Sequence, residues 1–226
     1  MNSTLIRVRI IILSYSILLT LFSCNKESVT NKPTINTISD TFKSYTVFDT
    51  TSIWVYLNVN QQLTDTVRIS GIRTEQRLQL LPDQESSYNY EAILFDYHSE
   101  NIGLEKAEII AGRLQSSGDN LFERFRLYFT NGRYYTIFAP EFPLNETHIF
   151  GEQEGNYTNL AFYNQFTLNN TTYQKVYRTS VKDYLNGSDT LKMEFWMAQN
   201  VGLIWFTAKN SQTNIVWSLI DAEVLP

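Results

Sequence analysis

The residues able to do chemistry in this chain are few, and one of them is unique. Cys24 is the single cysteine among 226 residues, in Leu21-Phe22-Ser23-Cys24. Its thiolate is a nucleophile and a metal ligand. With no second cysteine, an intramolecular disulfide is impossible. His98, in Asp96-Tyr97-His98-Ser99-Glu100, and His148, in Glu146-Thr147-His148, lie beside carboxylates and carry metal-ligand chemistry. Neither has a histidine four residues away or a cysteine partner, so the plainer reading is a pair of loop or strand-end histidines. Glu141, Glu146, Glu152 and Glu154 offer oxygen ligands, but their spacing matches no calcium loop. No metal and no cofactor is expected. The chain holds no nucleophile elbow, Ser-x-x-Lys, phosphate-cradling glycine loop or dinucleotide fingerprint. No catalytic residue is assigned, and the chain leans away from being an enzyme. A paired-carboxylate hydrolase rests on a distance in space that sequence does not carry. Trp54, Trp196, Trp205 and Trp217 have stacking surfaces for sugars, although aromatics in alternating strands ordinarily fill a core.

The segment that positions Cys24 begins with Arg7 and Arg9 and no acid. A 13-residue apolar stretch, Ile10 to Phe22, follows, broken by Ser14, Tyr15, Ser16 and Thr20. A membrane-spanning helix needs about 20 residues, so this reads as a secretory signal over residues 1–23 rather than a permanent span. Leu21, three residues before the cysteine, and the small Ser23 just before it resemble the bacterial lipobox; Phe22 is bulkier than usual there. That resemblance implies cleavage before Cys24 and a lipid on its sulfur, with acyl chains such as palmitate. Two or more chains anchor a protein stably, where one does so marginally. Asn25-Lys26-Glu27-Ser28 is similar to the surface-export signal of Bacteroidetes lipoproteins. It implies a lipid-anchored protein of the cell envelope at the outer membrane, on the surface or the periplasmic face.

Removing residues 1–23 leaves 203 residues and takes the net charge from −5 to −7, because both leading arginines go and no acid does. A mildly acidic chain without a basic run makes a poor nucleic-acid binder. The 14 Tyr, 14 Phe and 4 Trp, with many Thr, favour strands. Five prolines in the whole chain do not make a rigid stalk.

Residues 24–41 are polar enough to read as the lipidated cysteine and a flexible tether. From Phe42 the pattern becomes strand-like, and 42–226 reads as one antiparallel β domain. Leu121, Phe125, Leu127 and Phe129 alternate with Phe122, Arg124, Arg126 and Tyr128. Asn131-Gly132 then predicts a type I′ turn into Arg133–Ala139. Residues 140–157 read as a long internal loop, and Lys106–Leu114 as either a helix or a strand. Further turns at Asn169-Asn170, Asn186-Gly187, Asn200-Val201-Gly202 and Asn210–Asn214 predict an all-β meander, folded as a sandwich or a curved half-barrel.

Phe48 to Tyr56 with Asp65-Thr66-Val67, Phe195 to Ile204, and Ile215 to Ile220 carry a further resemblance. They are similar to the Trp-x-Tyr opening strand and the Val-Gly-Leu and Trp-x-Leu closing strands of uncharacterised small β-rich lipoproteins of Bacteroidetes. The likeness covers the two ends and little of the middle, and implies no catalytic residue. Asp49-Thr50-Thr51, Asp65-Thr66-Val67 and Asp189-Thr190-Leu191 fit the short Bacteroidetes O-glycosylation pattern at Thr50, Thr66 and Thr190; the plainer reading of each is a strand edge.

The expected function is a membrane-anchored, non-catalytic binding or accessory module for a protein, glycan or apolar ligand. One alternative is a carrier holding an apolar ligand in an aromatic-lined half-barrel. Another is a hydrolase, which would need His98 and His148, or two carboxylates, brought together in a cleft.

Overall fold

The computed structural model describes residues 35–80, 87–112, 122–150, 154–184 and 189–225. Cys24, Leu21, Ser23 and the signal segment lie outside these residues. Runs of aromatic and β-branched residues form two antiparallel wings. The first comprises β2 (Ile53–Asn58), β3 (Leu63–Leu80), β4 (Ser87–His98), β5 (Leu104–Ile110), β6 (Arg124–Phe129) and β7 (Tyr134–Phe138). The second comprises β8 (Thr147–Ile149), β9 (Asn156–Leu168), β10 (Thr171–Asp183), β11 (Leu191–Ala198), β12 (Gly202–Lys209) and β13 (Asn214–Glu223). The wings join where β13 pairs with β2, Trp217 opposite Asn58 and Glu223 opposite Ile53. With β1 (Ile35–Asn36) parallel to β4, this is one 13-stranded sheet in the order β7-β6-β5-β4-β3-β2-β13-β12-β11-β10-β9-β8. The fold is all-β, and the sheet does not close into a barrel.

The sheet nevertheless curls upon itself. Register shifts interrupt the ladders at Ile69/Gly71, Leu104/Lys106, Phe125/Arg126, Arg178/Thr179, Trp196/Met197 and Leu219/Asp221. Such irregularities bend a strand and increase its twist. The curl brings β7 against β9 and β10 along a seam without a ladder. Thr179 Oγ1 donates to the Ile137 carbonyl at 2.7 Å, and the Asn159 amide donates to the carbonyls of Ala139 and Phe142 at 2.9 and 2.6 Å. Buried polar backbone at a sheet edge needs such partners. The core lies inside the curl, with Trp54, Tyr56, Phe95, Ile109, Phe125, Ile137, Phe195, Ile204 and Trp217 all buried.

A short helix, α1 (Asp40–Thr46), plugs one end. The Ser39 hydroxyl accepts from the Phe42 amide at 3.2 Å and donates to Glu123 at 2.7 Å, capping the helix and fixing its start. Phe42 and Tyr45 lie on one face, with ring centroids 5.2 and 4.9 Å from Phe138. The Tyr45 hydroxyl reaches the Lys175 carbonyl at 2.9 Å. Gly202 (φ +89°) lets the β11–β12 turn approach, since a Cβ there would sit 3.1 Å from Phe48 Cε2.

Several expectations change here. Residues 35–41, assigned above to the tether, belong to the domain through β1 and the Ser39 cap, and Phe42–Thr46 is helical rather than extended. The aromatic composition masked a 3–4 spacing of Phe42, Tyr45 and Thr46 after a capping serine. The stretch 140–157 contains β8 and the first residues of β9. The ambiguous 106–114 contributes the strand β5. At Asn131-Gly132 only Gly132 takes positive φ (+78°), and its amide donates to the Phe129 carbonyl, so the turn is not type I′. Both Asn169 and Asn170 take positive φ, the type I′ signature, between β9 and β10.

That β9–β10 hairpin bends at Lys175 (φ +48°), which is skipped in the ladder, and its tip folds back over the outer face. Asn169 Nδ2 donates to Ser218 Oγ at 2.7 Å and to the Leu219 carbonyl at 3.0 Å. Ser218 pairs with Trp205, so Trp205 shares the face that the tip covers. Trp54 and Trp217 are core residues, while Trp196 and Trp205 meet edge to face on the outer side. No described helix is long and apolar enough to cross a membrane.

Candidate functional site

Because the strands alternate in direction, α1 covers the end where β2 and β12 begin, and the turns β2–β3, β4–β5, β6–β7 and β12–β13 ring the opposite end. That end holds a pocket of about 430 Å³. Its wall is a row of rings on three neighbouring strands: Phe195 pairs with Phe206, and Phe206 with Trp217. Consecutive centroids lie 6.2 and 6.4 Å apart, at interplanar angles of 17° and 21°. Met193 and Ile215 extend the wall, and Ile102 and Phe129 face it from the first wing.

The rim is polar. Asn101, Asn131, Asn210, Thr213 and Arg133 stand where the turns reach it. The asparagines are there for local reasons: Asn131 Oδ1 accepts from the Arg133 amide at 3.0 Å, and Asn210 Oδ1 from the amides of Gln212 and Thr213 at 3.0 and 2.6 Å, holding their turns. Asp65 holds the β4–β5 turn by accepting from the amides of Glu100, Asn101 and Ile102 and from Ser99 Oγ. Burial pushes its carboxyl upward, but these four donors outweigh it and leave the pKa below the usual carboxylate value. Beneath the rim, Tyr135 donates to buried Asp183 at 2.7 Å. Burial, and then that hydrogen bond, push the Tyr135 phenol up to about 12, so it stays protonated and donating. Arg133 pairs with the same carboxylate.

A second group of charges is buried at the seam. Arg126 reaches Glu108 at 3.0 Å and Glu154 at 2.6 Å, Glu108 also receives Arg77 and the Tyr128 hydroxyl, and Thr136 donates to Glu154. Burial raises the Glu108 carboxyl, yet Arg77, Arg126 and Tyr128 together bring it below the usual value. Glu108 is thus held as a carboxylate by its donors, and Glu154 is paired with Arg126 and Thr136, an arrangement that suits a structural clamp.

The sequence-derived candidates are scattered. His98 lines a separate polar depression with Thr64, Asp65, Thr66, Arg68 and Glu100. His148, on β8, is ringed by Phe122, Phe142 and Phe150 at 6.3, 5.0 and 4.5 Å, and burial, then nearby Arg124, lower its pKa. No described contact joins the two histidines. Among the described residues no group of three or more His, Cys, Asp or Glu is placed to hold a metal. Of the loop acids, Glu154 sits in the seam, Glu146 is exposed, and Glu152 lies outside the described residues. Thr50 is exposed beside Asp49, while Thr66 and Thr190 are half-buried. The pocket's rim was missed in the sequence because its asparagines read there as turn formers. The ring row was present as alternating aromatics, with nothing to mark which faced an opening.

No protein-family description matches the chain, and no curated protein matches it. Among solved structures, a chain titled "putative lipoprotein" from Parabacteroides distasonis is similar, at 11% identity and a TM-score of 0.36, over 78% of this chain and 97% of that one. At that level the likeness carries no argument about function.

Proposed function

We propose that this protein is a lipid-anchored envelope protein whose β domain is a non-catalytic module binding a small ligand with an apolar body. The observation that carries the binding reading is the 430 Å³ pocket, with its stacked Phe195, Phe206 and Trp217 and its asparagine rim. Pockets of this size, mostly apolar with a few placed polar groups, are the usual form of small-molecule sites. Among the alternatives framed from the sequence, the pocket favours the apolar-ligand carrier. The anchor rests on Cys24 after the short apolar segment, and the outer membrane is the proposed location. The domain's first described residue, Ile35, pairs with Asn89 on the α1 side, away from the pocket.

Metabolic labelling with an alkyne fatty acid tests the anchor: the wild-type chain takes the label and Cys24→Ala does not. Equal labelling of the two overturns it. For the pocket, the environment-sensitive dye 1-anilinonaphthalene-8-sulfonate binds the wild type, and Ala208→Trp, which fills the mouth, lowers its affinity at least tenfold. Unchanged binding in that variant places the dye elsewhere and removes the reading.

A further inference from the structure

Resting on the pocket reading above, we propose that the ligand is a single linear acyl chain with a polar head. Its tail runs down the axis of the curled sheet toward α1, and its head stays at the rim. Behind the pocket lie two small voids of about 20 and 40 Å³. The first shares Ile102, Phe129, Phe195 and Phe206 with the pocket. The second shares Tyr56, Val67, Leu104, Leu127 and Leu203 with the first, and ends against Tyr45, Phe48 and Gly202. The three spaces therefore form a file that begins at the mouth and stops at the helix.

The walls select the chemistry. They are largely aliphatic and aromatic, and the hydroxyls of Thr46, Tyr45 and Tyr56 among them are committed to the carbonyls of Phe42, Lys175 and Leu203 at 2.9, 2.9 and 2.6 Å. A polar body would lose its water without gaining partners. Voids this narrow admit a row of methylene groups and not a fused ring. Apolar voids stay dry, and the atoms around them lack contacts on one side, so a chain that fills them gains dispersion as well as hydrophobic transfer. Leu104, Leu127 and Met197 line the file and can change rotamer to admit a tail. At the mouth, Asn101, Asn131, Asn210 and Thr213 supply amide and hydroxyl groups for a head, as a free carboxylate or the glycerol of a single-chain lipid has.

The test is a chain-length series by isothermal titration. It uses the full chain bearing Cys24→Ala, which carries no acyl group of its own, in a fluorinated surfactant that does not compete as hydrocarbon. Octanoate, decanoate and dodecanoate are expected to bind one to one, with affinity rising roughly fourfold for each added CH₂. Val67→Phe, which blocks the file behind the mouth, is expected to flatten the series while leaving octanoate binding within about twofold. The milder Val67→Ile serves if that variant does not fold, with a smaller slope expected. Dodecanoyl-lysophosphatidylcholine binding more tightly than dodecanoate identifies a membrane lipid as the source, and the reverse identifies a free fatty acid; either supports the proposal. Equal affinity for octanoate and dodecanoate overturns the acyl-chain inference and leaves the pocket reading standing. Loss of binding of all these ligands and of the anilinonaphthalene dye overturns both.

Discussion

Arg126 on β6 donates to Glu154, just ahead of β9, at 2.6 Å, and that bond crosses the seam along which the sheet has no ladder. The same guanidinium holds Glu108 at 3.0 Å, so one cation compensates two buried acids from opposite sides of the seam. A buried pair contributes little over an apolar replacement, but removing one partner strands a charge. Arg126→Leu is expected to destabilise the protein by about 3–5 kcal/mol, with Arg126→Lys losing less. Urea unfolding midpoints measure both. A loss below about 1 kcal/mol for the leucine variant would show that the seam does not depend on this cation.

Asp65 joins the β2–β3 side of the mouth to the β4–β5 turn. Its folded pKa is lowered, so its stabilising contribution is complete above the ordinary carboxylate value of about 4 and is lost as pH falls through the lower folded value. Asp65→Asn is expected to cost about 1–3 kcal/mol at neutral pH and to reduce the acid slope of stability. Paired urea titrations from neutral pH into the acid range check both, and identical slopes would remove Asp65 from the acid response.

His148 acts in the same direction through a different cause, burial that disfavours its charged form. Its pKa is lowered, so both states are neutral above pH ~7, and below about 6.5 the unfolded chain takes up the proton first. Stability therefore falls as pH drops through that region until the folded state also titrates. His148→Phe extends the ring of phenylalanines and is expected to flatten stability between pH 7 and 5. An NMR titration of the wild-type ring is expected to give a midpoint below 6.5, and a midpoint above it would contradict the burial of His148 among the rings.

Asn169 serves the fold twice, by adopting positive φ (+49°) and by tying the hairpin tip to Ser218 and Leu219. Asn169→Ala loses both and is expected to cost about 1–2 kcal/mol. Hydrogen exchange at the Thr167–Thr172 turn, and at Trp205 beneath it, is expected to speed up more than exchange in β5 or β6. Uniform acceleration throughout the sheet would show that the tip is not an independent latch.

Much of the secondary structure was written locally. Alternation in Arg124–Phe129 and the Trp-x-Tyr run from Phe48 to Tyr56 marked strands whose inward residues are the buried ones, and Asn169-Asn170 marked a two-residue hairpin. The helix Asp40–Thr46 was hidden because its aromatics favour strands, and its stability comes from Phe138, Glu123 and Lys175, which are distant in sequence. Glu154 read as a loop acid until the curl brought Arg126 to it, whereas Glu108 meets the same arginine directly across the β5–β6 ladder.

By itself the amino-acid sequence determined the all-β class, the acidic and aromatic character of the domain, and the lone cysteine behind a short apolar segment, because composition, periodicity and turn chemistry act over a few residues. Tertiary structure alone decided that β2 meets β13, that the sheet curls and stops short of closing, and that one end is plugged while the other stays open. Those outcomes depend on pairings across more than a hundred residues, such as Trp217 with Asn58. No local pattern carries them, because strand register and curl are settled only when the whole core packs.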